Sequence, residues 1–371
     1  MRFKVPVQFQ LVCFLLMAMA FAVVYGGHCT LVPYLPHVGI GVGLTGLVIG
    51  DILSSPTIAP FPTIPDLLAV KMAYRNNALI ADQVVPRLKV AAEKYMYLFY
   101  DKGDTFRIQD TKIGRKSQLN QVETTATLVN SRTFPYGLKE MVPQSDMDNA
   151  ASMGMDPLAT ATTMISSWVA LDREQRVANL VFNAANYGVG NKSDLSGNAG
   201  VNQWNGSAQT TTGNPVTQIL AALDSCIMRP QFLAIGRLAF SGLATNQSIL
   251  KSVHGNLGDA GIASKQQIAD LFELEDIYIG AAFLTSSKKG QAATFARVWG
   301  KNALLFYKDT NMMQVDTGIT FGFTALWKEF AGAMPDKNIG PEGGQEVRAG
   351  EYVDEHIMAP DCAYLLSNVV S

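Results

Sequence analysis

The chain has 371 residues, with 29 basic and 31 acidic side chains and a formal net charge of −2. That length suits two or three compact units rather than one, and the near-balanced charge excludes a strongly basic nucleic-acid binder. Apolar residues at 48% are enough for a large core, while 32 Gly and 16 Pro are ordinary usage and exclude a collagen-like or wholly disordered chain. Four cysteines, none in a C-x-x-C pair, exclude a disulfide scaffold and a zinc-finger framework.

Residues 1–65 stand apart, because their only charges are Arg2, Lys4 and Asp51. Residues 11–25 form an apolar run behind Arg2 and Lys4, shorter than the about 20 residues of a spanning helix. The run fits the core of a signal peptide, with Ala20-Phe21-Ala22 as a small-residue cleavage site. Together with the glycine-rich run 38–53 it also fits a membrane hairpin; a third reading is an extension outside the working fold. Gly41-Val42-Gly43-Leu44-Thr45-Gly46 matches G-x-G-x-x-G, the sign of a nicotinamide- or flavin-binding enzyme, and Asp66 follows at dinucleotide spacing. The glycines lie within an apolar run, however, and Pro56, Pro60, Pro62 and Pro65 come next, so they are read as small residues rather than a dinucleotide site. Residues 54–65 are extended linker.

A short helical pattern begins at Asp66, and Pro86 breaks any helix in RNNALIADQVVPRLKV. Residues 105–110 alternate, with Phe106 and Ile108 on one face, and 124–129 are rich in β-formers. Between them, IGRKSQLNQ is polar and basic. The pattern predicts a two-stranded arm with an exposed tip. An isolated hairpin is marginal in water, so the arm is expected to lie on something else, such as a neighbouring subunit. Lys112, Arg115 and Lys116 at the tip are candidates to grip a neighbour's acidic surface; the competing reading is a solvated loop that keeps the arm soluble.

Asp156-Pro157 supplies an N-cap and a first-turn proline, and no further Pro or Gly occurs before Asn186. This predicts a helix of about 29 residues, roughly 44 Å long, stopped by Gly188. Ile165, Trp168, Leu171 and Ala178 recur near helical spacing, as do Val177, Leu180, Val181 and Ala184, and Asp172 and Arg176 are placed for an i,i+4 ion pair. Such a helix is a beam across the molecule. Residues 188–213 are glycine-rich loop. Asn214-Pro215 opens a helix with Val216, Ile219, Leu220, Leu223 and Ile227 on one stripe and Cys226 as a small buried residue beside it. A strand at 232–235, a helix at about 238–250 and a helix opened by the capping box Ser264-Lys265-Gln266-Gln267 follow. Strands are expected at 276–281, 294–299 and 303–307, and Ile319, Phe321 and Phe323 mark one face of an alternating segment. A loose loop at 331–346 precedes strands at 347–358 and 363–370. The fold class is α+β.

Chemistry is scarce. His28, His37, His254 and His356 are not at metal-ligand spacing, although His28, Cys29 and His37 come nearest to a cluster. H-E-x-x-H, G-x-S-x-G and P-loop motifs are absent from the sequence. Glu273/Glu275 and Glu351/Asp354/Glu355 read as carboxylates dispersed in solvated segments. Asn191, Asn205 and Asn246 are glycosylation acceptors only in a secreted chain. No catalytic residue, cofactor or metal is expected. A projecting arm, a beam helix and an α+β unit without a catalytic constellation fit a building block.

Several phrases, in order, resemble the major capsid proteins of tailed bacteriophages with the Hong Kong 97-type fold. AYRNNALIADQVVPRLKV resembles the N-terminal arm, YGLKEMVP the end of the E-loop strand, and DREQRVANLVFN the spine helix of the P-domain. RPQFLAIGRLAFSGL, ADLFELEDIYIGAA and VWGKNALLFY resemble the A-domain, and EHIMAPDCAYLLSNVV the closing β segment. The resemblance implies an apolar extension at 1–55, linker and N-terminal arm at 56–102, the extended β-hairpin E-loop at 103–140, the P-domain at 141–190, the A-domain at 191–330 and closing strands at 331–371. It implies a structural protein of the virion, assembled in the host cytoplasm. Its hexamers and pentamers would build an icosahedral shell around double-stranded DNA that they do not read by sequence. Scaffolding, portal and decoration proteins would be its other partners. Some relatives lock the shell with a lysine–asparagine isopeptide bond; Lys112 and Lys116 lie in the right region, but no motif marks a partner, so cross-linking is not expected. The apolar start departs from the family pattern and leaves membrane association open. The rival readings are a membrane-anchored or secreted surface protein and a nanocompartment shell of the same lineage.

Overall fold

The computed structural model describes Leu67 and residues 78–371, apart from 101–107, 116–117, 122–125, 154, 198–200, 207–210, 212, 256–260, 289 and 310–319. Residues 1–65, with both apolar runs, the glycine motif, His28, Cys29 and His37, lie outside the described residues, as do Phe106, Lys116 and Ile319.

In chain order, helix α1 (Ala81–Val84) and strands β1 (Arg87–Lys89), β2 (Lys94–Tyr100), β3 (Ala126–Arg132) and β4 (Phe134–Pro143) lead to helices α2 (Gln144–Met153) and α3 (Pro157–Val181). Strand β5 (Lys192–Asp194), helix α4 (Pro215–Ser225), strand β6 (Phe232–Gly236) and helices α5 (Arg237–Ala244), α6 (Gln247–His254) and α7 (Lys265–Phe272) follow. Strands β7 (Asp276–Gly280), β8 (Phe283–Thr285), β9 (Phe295–Arg297), β10 (Ala303–Phe306), β11 (Gly322–Asp336), β12 (Gly344–Ile357) and β13 (Ala363–Ser367) complete the order.

Helix α3 starts where its cap demands. Asp156 accepts from the backbone N–H of Leu158 and Ala159, and Pro157 fills the first position, where no donor is needed. It ends at Val181, short of the expected Asn186. Asn183 caps a separate 3₁₀ turn, Ala184–Asn186, while the Asn186 amide and the Tyr187 hydroxyl donate back to the carbonyls of Leu180 and Val181. The helix is about 37 Å long. Its buried stripe runs Ala161, Ile165, Val169, Val177 and Val181; Trp168 falls off that stripe and is exposed, contrary to the sequence pattern.

The two ends of α3 serve two sheets. Ala161, Ile165 and Val169 pack on Val142, Ala331, Ala333, Val347 and Ala349 of a four-stranded sheet ordered β1-β11-β12-β4. Val177, Ala178 and Val181 pack with Phe232, Leu304, Phe306 and Leu365 of a five-stranded sheet ordered β5-β13-β10-β6-β7. Helices α4 to α7 cover the opposite face of that second sheet through Ile219, Leu223, Leu243, Ile249, Ile268 and Phe272. The expected helix at 238–250 is two helices, because Asn246 caps α6 and breaks the run. The Ser264–Gln267 capping box forms with both of its hydrogen bonds. Leu220 and Ile227 of the α4 stripe are exposed, and Cys226 is a half-buried C-cap rather than a residue of the helix.

Another expectation is overturned. The loose loop at 331–346 is mostly strand: β11 and β12 pair from Gly322↔Ile357 to Asp336↔Gly344, joined by a short turn with Gly340 and Gly343 at φ 64° and 82°. The small residues that look loop-like, Ala331 and Ala333, are what lets α3 approach the sheet. Both faces of the alternating segment around Phe321 are covered: Thr320, Phe321, Phe323 and Thr324 are all buried.

Candidate assembly site

Strands β2 and β3 pair antiparallel from Lys94↔Arg132 to Tyr100↔Ala126. They form a two-stranded sheet, about 23 Å long at ordinary strand rise, and among the described residues share no ladder with the other sheets. The first strand of this ladder is Lys94–Tyr100; of the strand expected at 105–110, residues 105–107 lie outside the described residues and 108–110 are irregular, as are 111–114. The run KYMYLFY, dense in aromatic β-formers, supplies the strand. At the tip, Lys112 and Arg115 are exposed. Asp110 ties the two limbs together: its carboxylate accepts from the Lys112 backbone N–H at 3.0 Å and its carbonyl from Asn120 Nδ2 at 2.7 Å. The arm carries Met96, Ile108, Leu119 and Leu128 as exposed apolar side chains, with Ile108 97% exposed.

With no ladder to aim it, the arm is aimed by side chains. β4 pairs with β12 only as far as Phe134↔Val353, so Asp354 and His356 project past the end of β4 into the space at the arm's base. There Asp354 Oδ2 accepts from Ser131 Oγ at 2.7 Å and Tyr95 OH at 3.1 Å, and lies 2.6 Å from His356 Nε2. Burial works against the Asp354 charge, but the bonds from His356, Ser131 and Tyr95 hold its carboxyl below the ordinary value of 3.8. Tyr97 closes the site with its ring edge-on to Phe323 at 6.0 Å. Thr133, the joint between β3 and β4, is fully buried, and its N–H donates to Glu93 O at 2.9 Å. An open cavity of about 660 Å³ adjoins the cluster, rimmed by Lys94, Met96, Asn130, Arg132 and Phe134.

Serine, histidine and aspartate in one cavity suggest a hydrolytic relay, and the geometry excludes it. Ser131 Oγ and Asp354 Oδ2 both approach the same ring nitrogen, His356 Nε2, at 2.9 and 2.6 Å. A relay needs the carboxylate on the opposite nitrogen, orienting the ring toward the hydroxyl. The cluster locks the arm strands to β12.

Behind the lock lies a charged junction that the sequence reading placed in solvent. Glu351 and Glu355 are buried or nearly so. Arg87 binds Glu351 at 2.6 Å, Asp82 at 2.8 Å and Glu329 at 3.0 Å. Arg173, 2% exposed, pairs with Asp82 and donates to Thr324 Oγ1 at 3.1 Å. Arg176 binds Glu355 at 2.8 Å, pairs with Asp172 as the spacing predicts, and covers the Tyr136 ring at 3.6 Å. Glu174, fully buried, accepts from the N–H groups of Ile80 and Ala81, each at 2.8 Å, and from Trp299 Nε1 at 2.5 Å. Burial pushes its pKa up despite those three donors. Burial likewise opposes the Asp82 charge, but Arg173 and Arg87 hold that carboxyl below its usual value. These bonds fasten the segment entering the arm to α3 and to the β11–β12 hairpin.

The exposure of Lys112 and Arg115 is legible in the sequence and this junction is not, although two signals point to it. Arg173 and Glu174 occupy the helical face of Val169 and Val177, and Glu351 has the inward strand parity of Val347, Ala349 and Val353. A charge at a core position is buried and paired. Glu273 is exposed as expected. Among the described residues no group of three or more His, Cys, Asp or Glu is placed to hold a metal ion, and no helix is long and apolar enough to cross a membrane.

No family model matches the chain. The major capsid protein of Pseudomonas phage JBD67 is 41% identical over 314 residues, which cover 84% of this chain and 99% of that protein. The chain belongs to the major capsid proteins of tailed phages. That of Burkholderia phage BcepMu is 21% identical over 318 residues, covering 82% of this chain and 96% of its own. A solved phage-related protein from Bordetella bronchiseptica RB50 shares the fold at a TM-score of 0.62 and 20% identity, over 83% of this chain and 97% of its own. The capsid subunit thus has a mixed α+β phage capsid fold and a structural role in the shell of the virion.

Proposed function

We propose that the capsid subunit builds hexamers and pentamers of an icosahedral shell around double-stranded DNA, in the Hong Kong 97 manner. In this reading the arm is the E-loop, α3 is the spine of the P-domain together with the four-stranded sheet, and the five-stranded sheet with α4 to α7 is the A-domain. The observation that carries it is the arm: a ladder with no backbone pairing to either sheet among the described residues, exposing Met96, Ile108, Leu119 and Leu128. A segment that buries so little against its own subunit gains its stability on a neighbour. Lys112 and Arg115, exposed at the tip, are proposed to meet acidic groups of that neighbour, and so is Lys116, which lies outside the described residues. Exposed ion pairs contribute little one at a time, but a shell repeats each contact in every subunit, so modest contacts suffice. Scaffolding, portal and decoration proteins are its proposed further partners, and the host cytoplasm its proposed site of assembly.

Deleting residues 108–125 tests the reading. The expected product is a folded subunit, with the circular dichroism and thermal transition of the parent, that sediments as free subunits or capsomers. Normal shells from this deletion would remove the arm as the joining device.

A further inference from the structure

At the edge of the five-stranded sheet, the chain around β7 carries opposite charge at the two ends of the strand. Residues 270–276, DLFELED, hold four acids and no base. Residues 283–297, which span β8 and β9, hold Lys288, Lys289 and Arg297 and no acid. The strand between them, Asp276–Gly280, is about 13 Å long at ordinary rise. At the acidic end Glu273 and Glu275 are exposed. Arg229 joins Glu273 at 3.2 Å and Asp224, on α4, at 3.7 Å; Ile227, two residues before Arg229, is 50% exposed. At the other end β8 and β9 form a hairpin that shares no ladder with the other sheets among the described residues. Its base is fixed. Trp299, fully buried, packs over Gly280, where a Cβ would lie 2.2 Å from the indole ring, and Val298 N donates to Ala282 O at 3.1 Å. Phe283 pairs with Arg297 and Thr285 with Phe295, so Phe283, Arg297 and Phe295 share one face. Phe283 and Phe295 are 50% and 67% exposed, Arg297 lies over the Phe283 ring at 4.3 Å, and Lys288 is exposed at the tip. Lys289 lies outside the described residues. Aromatic side chains and arginine are what the centre of a protein interface is rich in.

We infer that this hairpin docks on a second copy of the chain, its aromatic face and basic tip meeting the acidic end of β7 and Ile227 of the next subunit around a capsomer. The inference rests on the ring assembly proposed above. A ring built by rotation joins unlike patches, head to tail. One patch here projects and is basic and aromatic; the other is acidic, with an apolar side chain beside it. Placed at opposite ends of one strand, they serve two different neighbours. Opposite charge steers the encounter and fixes which patch meets which. The hairpin, marginal in water as an isolated two-stranded piece, is covered in the same step.

The test assembles the full chain from a mixture of isotope-labelled and unlabelled subunits. A carbodiimide then joins lysine amines to the carboxylates they touch, and mass spectrometry maps the linked peptides. The expected product joins Lys288 or Lys289 to Glu273 or Glu275, across one labelled and one unlabelled subunit. Two charge reversals test the pairing. Lys288→Glu with Lys289→Glu, and separately Glu273→Lys with Glu275→Lys, should each cut ring formation about tenfold at low salt, with recovery at high salt and an unchanged Tm. Mixed in equal amounts, the two variants should again form rings, because the reversed hairpin of one meets the reversed end of the other. Such rings must alternate, so rings of six return and rings of five do not. Hairpin lysines left unlinked in assembled particles, or linked to another face, overturn the inference and leave the shell standing. So do reversals that assemble like the parent, or a mixture that restores nothing. A parent that never assembles removes the shell reading, and this contact with it.

Discussion

Replacing Asp354 by alanine should free the arm while leaving the body of the subunit folded. Three side chains converge on Asp354 Oδ2 at 2.6 to 3.1 Å, and two of the donors, Tyr95 and Ser131, belong to the arm strands. A hydrogen bond to a charged acceptor is worth about 1.5–3 kcal/mol, but the three are not additive. In the variant Ser131 and His356 keep each other at 2.9 Å, and the Tyr95 hydroxyl faces the open cavity that it helps to line. The net loss to arm docking is therefore about 2 kcal/mol, near a 30-fold rise in the undocked population. Trypsin reads that population, because Lys94 and Arg132 stand at the arm's base, and cleavage follows the open fraction when reclosing is fast. Digestion at these two sites should quicken about 30-fold, shell formation should fall, and the main thermal transition should move little. Asp354→Asn should fall between, since one amide oxygen still accepts. Unchanged digestion at both sites, with unchanged shells, would refute the lock.

Other predictions come from the same contacts. Asp354 and Asp82 are held below their ordinary value of 3.8; their stabilisation is complete above that value and is lost as the pH falls below it. Glu174 is shifted the other way, so protonation costs nothing there, and hydrogen exchange between pH 5 and pH 3 should show the arm losing protection before α3 does. Glu174→Gln turns an amide group toward three donors, the N–H groups of Ile80 and Ala81 and Trp299 Nε1, and should cost about 3 kcal/mol, read as a drop in Tm of about 5–10 °C. Gly350→Ala places a methyl 2.4 Å from Phe330 Cζ and 2.3 Å from Tyr136 O and should lower the urea midpoint by the equivalent of about 2 kcal/mol.

Local chemistry made much of this fold legible. The Asp156, Asn214 and Ser264 caps start their helices where the sequence says, because a cap is a contact between near neighbours. The buried strand at Phe232–Gly236 is equally plain, since all its side chains are apolar or small. What sequence could not place was decided by distant partners. The strand Lys94–Tyr100 is set by its pairing with Ala126–Arg132, a partner about 30 residues away that no local pattern announces. The strand half around Ala331 and Ala333 reads as loop because its small side chains serve α3 rather than a pattern of their own. Asp354, Ser131 and Tyr95 carry no motif, and their meeting depends on where β4 stops beside β12. The exposed tip was legible because it needs no partner within the subunit.

Electron microscopy of the purified chain, over a range of protein and salt concentrations, tests the central claim most directly. Closed shells, or rings of five and six subunits, are the predicted result. A monodisperse single subunit under every condition would contradict it.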